Sequence, residues 1–500
     1  MNTNFKFAIE RIQEAFLIQL KTKPTNKYIV LYYAVKQSII NNDLPHDWLL
    51  PSTRVLAEEL KLSRTTINKT YELLHLEKLI LSKPGSGYWV NYDNSIQTNT
   101  TTNEAIAIFN ERLYPKVTEK GLSYLNNISL INRLPNNNLA FRPGLPPIDV
   151  FPVNQWKKLL NTYWRHVKSS GLSYSHGTGI IELKKSISNY LNVNRNIKCN
   201  HEQVVIVSGS LQSLYLITNT LIEKGDHVIL EDPTFPNVHS IFKSIQSHIL
   251  PVSLDDEGID VNKMNSLASF KPKIVHTTPS NHYPLGIKMS LKRRKELLEW
   301  ASRNKALIIE NDYENEIANS FNSLPTIYSL DTEDRTIYMG TFNRLLHPSI
   351  RLGYMIVPKY LAKAVEALQE HSHRFIAPSI QVVMNQFIER NYLFQHIKNI
   401  TNTAQERLVL FINEFEKNNN TLYLERKEFC SLHIVAKFKN KVSEKDELKL
   451  IETLSKQGIV TFSLSKCYIG EKKQFGLILG YSAVRPNKLA QKVNQMKVFL

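Results

Sequence analysis

With 500 residues the chain is too long for one ordinary core, since domains run to roughly 100–200 residues, and two or more are expected. Its 42% hydrophobic and 21% charged content is that of a soluble globular chain, and no apolar run reaches the ~18 residues of a membrane span. Three scattered cysteines (Cys199, Cys430, Cys467) fit neither a disulfide framework nor a zinc site, and the net charge of +17 invites a polyanionic partner such as nucleic acid.

The opening MNTNFKFAIERIQEAF mixes charges into its apolar pattern and has no small-residue cleavage site, so it does not read as a signal peptide, and a cytoplasmic chain is expected. Residues 1–90 hold twelve Lys and Arg against eight Asp and Glu, so the positive excess is spread along the whole chain. A first helical pattern covers 28–42. Pro51-Ser52-Thr53 then signals a helix start, and Val55, Leu56 and Leu60 give that short helix a buried side. After the turn at Lys61-Leu62, Ser63 can cap a second helix in which Ile67, Tyr71 and Leu74 recur at i, i+4, i+7. Two strands, LILSK and YWV, flank the turn Pro84-Gly85-Ser86-Gly87. Helix, turn, helix and hairpin in this order predict a winged helix-turn-helix over 1–90.

Residues 91–135 read as a linker: 91–104 (NYDNSIQTNTTTNE) are almost devoid of apolar residues, and 105–135 are open between linker and a helix packing onto the next domain. From about 140 onward, VVIVSG, HVIL, KIVHTTP, ALIIEND and TIYMGTF are short apolar runs ending in small or polar residues, most of them separated by helical stretches. That alternation predicts a mostly parallel α/β sheet with its sites at the carboxyl ends of the strands. The boundaries expected are a large domain over 136–390 and a small α+β lobe over 391–500, built around FCSLHIVAKF and FGLILGY.

In a winged helix-turn-helix the first turn of the second helix faces the base edges of the major groove. Here that turn is Ser63-Arg64-Thr65-Thr66. Arginine can bond guanine bidentately, and hydroxyls can reach phosphates or bases. Arg54 stands where a backbone phosphate would pass, Gly85 and Gly87 permit a tight wing, and Lys83 charges it. Double-stranded DNA is the expected partner. In the second domain, Ser208-Gly209-Ser210 follows a strand and opens a helix, so backbone N–H groups and the Ser210 hydroxyl can cradle an anion.

Residues 28–90, with LPSTRVLAEELKLSRTT, resemble the DNA-binding domain of the GntR superfamily, and residues 140–500 resemble the fold-type-I aminotransferases. The fusion in this order is similar to the MocR-type regulators. The resemblance implies a homodimeric transcription regulator whose pyridoxal-phosphate-transferase-like α/β/α domain senses a small molecule. It also implies where the cofactor's functional groups should stand. Catalysis by that cofactor needs a lysine amine, a carboxylate on the ring nitrogen, phosphate donors and an aromatic platform.

Ser210, Arg351 and Phe235 match the phosphate and stacking positions, although Leu211 replaces a usual glutamine. The chemical positions depart from the pattern. Arg344, after Asn343, occupies the Schiff-base lysine position, and a guanidinium has no free amine to offer an aldehyde. Asn311, two residues before Tyr313, replaces the ring aspartate. His282 and Leu285 depart from the usual PSHQYPTG, and Ile478 stands where related enzymes often have the arginine that grips the substrate carboxylate. Lys288 is a conceivable surrogate lysine, and Lys359 a poorer one. The expectation is a catalytically disabled domain without a covalent cofactor. Pyridoxal phosphate or another anion could bind non-covalently, with Arg344 and Arg351 acting together; the alternatives are a working enzyme carrying a DNA-binding head, and a mere dimerisation scaffold.

Overall fold

The computed structural model describes residues 3–22, 26–83, 85–92, 115–130, 140–318, 324–417, 419–470 and 474–500, and the chain divides into two compact units at 116/117. Residues 93–114 and 131–135 of the expected linker, and Pro84 of the wing turn, lie outside the described residues.

Among its described residues the first unit contains four helices, α1 (Thr3–Thr22), α2 (Lys27–Ile40), α3 (Thr53–Glu59) and α4 (Arg64–Leu76), followed by strands β1 (Ile80–Lys83) and β2 (Gly87–Val90). The strands pair antiparallel, with Ile80 opposite Val90 and Lys83 opposite Gly87. This is the expected winged helix-turn-helix, with one addition. The opening segment forms α1, whose Ala8, Ile12 and Phe16, spaced at i, i+4, i+8, are buried in one cluster with Leu31, Val35, Leu56, Ile67 and Leu74. Tyr71 Oη donates to the Pro51 carbonyl at 2.8 Å, and Thr70 Oγ1 donates to the Tyr28 carbonyl at 3.1 Å, so α4 is tied to both neighbouring elements. Ile12 is fully buried, and Ile12→Ala should cost about 2–5 kcal/mol, seen as an earlier urea transition of the full chain followed by DNA binding. No change would place α1 outside the folding unit.

In the second unit the helix Glu119–Asn127 lies against the helix Pro236–Ser244, where Ser240 Oγ donates to the Asn127 carbonyl at 3.0 Å. The central sheet has eight strands: β3 (Val204–Val207), β4 (His227–Asp232), β5 (His248–Asp255), β6 (Gly258–Ile259), β7 (Ile274–Thr277), β8 (Leu307–Asn311), β9 (Thr336–Thr341) and β10 (Gly353–Ile356). Their order is β3-β10-β9-β8-β7-β4-β5-β6. Strands β4, β5, β7, β8 and β9 pair parallel, whereas β10 is antiparallel to β3 and β9, and β6 to β5. Helices cover both faces, as the period of two requires. Val205 and Val207 pack with Leu214, Phe242 and Leu361, while Val204 and Ile206 pack with Leu183, Ile187 and Val383.

The C-terminal lobe holds the antiparallel sheet β11 (Leu422–Leu424), β12 (Ile434–Phe438), β13 (Phe462–Ser463) and β14 (Gly476–Leu479), in the order β11-β12-β14-β13. Its helices are Tyr392–Glu416, Glu444–Lys456 and Pro486–Lys497. Residues 140 and 141 bridge to Ile459 and Gly480, so the chain just before the large sheet is bound to this lobe.

Candidate functional site

On the first unit, Ser52 caps α3 by accepting from Val55 N at 3.3 Å. Ser63 caps α4 by accepting from Thr66 N at 3.2 Å, and its hydroxyl also bonds the Thr66 hydroxyl at 2.8 Å. These two hydroxyls are therefore engaged in shaping the helix start. Arg64 and Thr65 are exposed in the first turn of α4, and Asn68 is exposed one turn further on. Asn68 went unread in the sequence, although its i+4 spacing from Arg64 put it on the same side. Arg54 is exposed and reaches Glu58 at 3.4 Å, a loose surface pair that leaves it available to a stronger anion. At the wing, Gly85 (φ +76°) and Gly87 (φ +91°) take left-handed backbone, and Lys83 lies over the Trp89 ring at 4.6 Å.

In the second unit the carboxyl ends of β3, β4, β7, β8 and β9 converge on a cavity of about 190 Å³. Gly209 (φ +134°) turns the chain so that the helix Ser210–Leu221 points its N-terminus at the cavity. Asn343 locks this end together. Its Nδ2 donates to the Ser208 carbonyl at 3.2 Å, and its Oδ1 accepts from Leu352 N at 3.0 Å. Arg351 (φ +50°) lines the cavity and makes no ion pair among the described residues.

Arg344 also lines the cavity, but its charge is committed. Its Nη1 donates to Glu314 Oε1 at 3.0 Å, and its guanidinium lies 5.3 Å from the centre of the Tyr313 ring. Glu314 is fully buried and accepts further bonds from Ser431 Oγ at 2.6 Å and Leu432 N at 3.3 Å. Arg344 is thus held by Glu314, while Arg351 makes no ion pair among the described residues. A Cβ added to Gly144 (φ +78°) would sit 1.9 Å from Arg344 Nη1. Gly144→Ala should destabilise the unit by about 1–3 kcal/mol and push Arg344 off Glu314. The share of that loss due to the clash with Arg344 should vanish on an Arg344→Ala background while the left-handed backbone strain remains, measured as a double-mutant cycle of urea midpoints.

At the end of β8, Asn311 lines the cavity; its Nδ2 is 3.4 Å from His276 Nε2 and its Oδ1 has no partner among the described residues. The next residue cannot supply the missing charge, because Asp312 is turned away into an ion pair with Arg195 at 2.6 Å and accepts from Tyr338 Oη at 2.6 Å. Phe235 lines the cavity, edge-on to Tyr283 with centroids 4.6 Å apart. Tyr283 and Tyr313 line the cavity too, and both phenolic hydroxyls are buried without partners among the described residues.

The sequence placed His282 with the pocket residues, and the structure puts it elsewhere. Its ring is buried behind the wall, donating to the Pro233 carbonyl at 2.9 Å and 3.7 Å from Glu231, while Tyr283 faces the cavity. Burial holds His282 and His276 neutral, with pKa values pushed down to about 3. Burial likewise raises the Glu231 carboxyl to about 7, against the bonds it accepts from Thr277 and Thr278. Ile478 is fully buried beside Tyr283, Tyr313 and Cys467, so position 478 supplies no cation to that wall. Sequence reading also missed Glu314, Gly144, Tyr283 and Thr278; for Glu314 the signal was an acidic residue directly after Tyr313.

Set against pyridoxal phosphate, these residues fit the phosphate end and the ring face and fail at the reacting groups. No lysine lines the cavity among the described residues. Lys288 is exposed and outside the lining, and Lys359 heads the helix Lys359–Ser372 beside a different cavity. Arg344 carries no free amine to condense with an aldehyde, and Asn311 is an uncharged amide.

A winged helix-turn-helix followed by the pyridoxal-phosphate transferase fold defines a class of transcription regulator. The chain belongs to the aminotransferase class I and II family over residues 144–476, and residues 27–90 match the gntR family of bacterial regulatory proteins. This is the MocR-type arrangement. The chain is 28% identical over 469 residues to the probable rhizopine catabolism regulatory protein MocR of Rhizobium meliloti, covering 93% of this chain and 92% of that one. Against the pyridoxine biosynthesis transcriptional regulator PdxR of Corynebacterium glutamicum it is 23% identical over 438 residues, 87% of each chain. The fold is similar to that of the kynurenine aminotransferase of Pyrococcus horikoshii, with TM-score 0.65, 23% identity and coverage of 78% of this chain and 96% of the enzyme.

Proposed function

We propose that this transcription regulator binds duplex DNA through α4 and the wing, and that its aminotransferase-like domain has given up transamination to serve as a non-covalent receptor for a small anion. The observation that carries the reading is the Arg344–Glu314 ion pair at the lysine position, in a cavity that no lysine lines among the described residues. Arg64, Thr65 and Asn68 read bases, while Arg54, Lys83 and the Gly85–Gly87 wing hold the phosphate backbone. Ser63 and Thr66 set the pitch of α4 at the groove.

In the cavity, Ser210, the amides at the start of its helix and Arg351 bind the anionic end of the ligand. Tyr283 and Tyr313 donate to its polar far end, Asn311 Oδ1 accepts from it, and Phe235 covers its face. Pyridoxal phosphate bound without a covalent bond is one ligand of this shape; bound by a lysine it would supply an electron sink, which Asn311 could not support. The protein works in the cytoplasm as a homodimer, matching two half-sites.

Titrating phosphate- and carboxylate-bearing metabolites against operator binding tests the receptor role. Arg351→Ala should abolish any ligand effect on DNA affinity while leaving ligand-free DNA binding intact. An unaltered response would remove the cavity from the account. The closure of the lysine position by Glu314 also favours a second reading, a pure dimerisation scaffold, which predicts no ligand response at all.

A further inference from the structure

A second cavity of about 550 Å³ lies near the amino end of β3, whereas the first opens at the carboxyl ends of the strands. Lys184, on the helix Ile181–Arg195, lines it and is only 7% exposed. Its Nζ donates to Thr178 Oγ1 at 3.2 Å, a neutral partner that is itself buried. Among the described residues it has no ion pair. A buried ammonium with no carboxylate at ion-pair distance is costly, and proteins normally pair such a group directly.

Further positive potential converges on the same space. Lys359 and Lys363, one turn apart on the helix Lys359–Ser372, line the cavity. Ile181 and Lys359 begin their helices there, and neither helix has a side-chain cap at its start. The open amides therefore add partial positive charge at the cavity, offset in the first of these helices by Glu182 in its first turn. Glu202 and Glu366 also line it and pull on Lys184 from beyond ion-pair distance, without satisfying its hydrogen-bond donors. Burial lowers the Lys184 pKa, and an anion beside it would restore the charged form.

We propose that this cavity is a second ligand site, taking a compact dianion (a phosphate monoester or a dicarboxylate) held by Lys184 Nζ, with Lys359 and Lys363 at its rim. The site is independent of the β-strand-end cavity and survives if that receptor reading fails.

The test uses the full-length chain, with inorganic phosphate and malonate as probes and thermal shift as readout. The unmodified protein and Arg351→Ala should both be stabilised by at least one probe, and Lys184→Met on the Arg351→Ala background should need about tenfold more of it than Arg351→Ala alone. A response to phosphate alone assigns the phosphoester class, and a response to malonate alone assigns the dicarboxylate. If Lys184→Met does not fold, reductive methylation of the unmodified protein with peptide mapping replaces it. Lys184 should then be labelled about tenfold more slowly with the effective probe present. The proposal is overturned by no shift with either anion, by a shift of Arg351→Ala that adding Lys184→Met leaves unchanged, by one that Arg351→Ala abolishes, or by unprotected labelling.

Discussion

Arg344→Ala should be among the most destabilising single substitutions near the cavity, lowering the stability of the second unit by about 3 kcal/mol. Glu314 is fully buried, and Arg344 is its one cationic partner among the described residues. Without the guanidinium the carboxylate keeps only neutral donors, Ser431, Leu432 N and a long contact from Asn281 Nδ2 at 3.5 Å. Breaking a buried pair from one side costs about 3–5 kcal/mol, and the lower end applies because the Arg344 side chain is 18% exposed and water from the cavity can replace part of it. Arg344→Lys keeps a charge on a shorter, single-point donor and should lose less than half as much. Urea midpoints of the three proteins decide this. An alanine variant within about 0.5 kcal/mol of the unmodified chain would mean that the pair contributes little to the fold.

The second large effect belongs to DNA. Arg64 is exposed in the first turn of α4 and carries no ion pair among the described residues, so its donors are free for a base edge. A bidentate contact to guanine discriminates by about 1–3 kcal/mol, so Arg64→Ala should weaken binding to a selected operator roughly 5- to 150-fold. On scrambled duplex the loss should be only severalfold, that of one phosphate-strength contact, with a shallower salt dependence. Anisotropy titrations on a duplex selected from a random library, and on its scrambled version, measure both. Equal losses on the two would make Arg64 a backbone contact.

What the sequence made legible follows from how each element is buried. VVIV reads as a strand because β3 is buried at all four positions, and the α/β alternation needs no more than that. Helix α4 was readable because Ile67, Tyr71 and Leu74 keep strict helical spacing beneath a polar surface. Helix α1 was not, because exposed Phe7, Leu17 and Ile18 blur the stripe of Ala8, Ile12 and Phe16. At the cavity, Arg344 and Asn311 stood out because the resemblance fixed their register. Glu314 did not, since its burial depends on Ser431, 117 residues away on the C-terminal lobe. His282 was misplaced because adjacent residues of an irregular loop point to different sides, and only packing decides that Tyr283 faces the cavity.

The central claim is that the aminotransferase-like domain holds its ligand without a covalent bond. Its most direct test is incubation of the full-length protein with pyridoxal phosphate, borohydride reduction, and intact-mass and peptide analysis beside Arg344→Lys. The unmodified chain should carry no stoichiometric pyridoxyl adduct, and the variant should carry one at position 344. A single stoichiometric adduct on a native lysine, blocked by excess inorganic phosphate, would contradict it and return the domain to covalent cofactor chemistry.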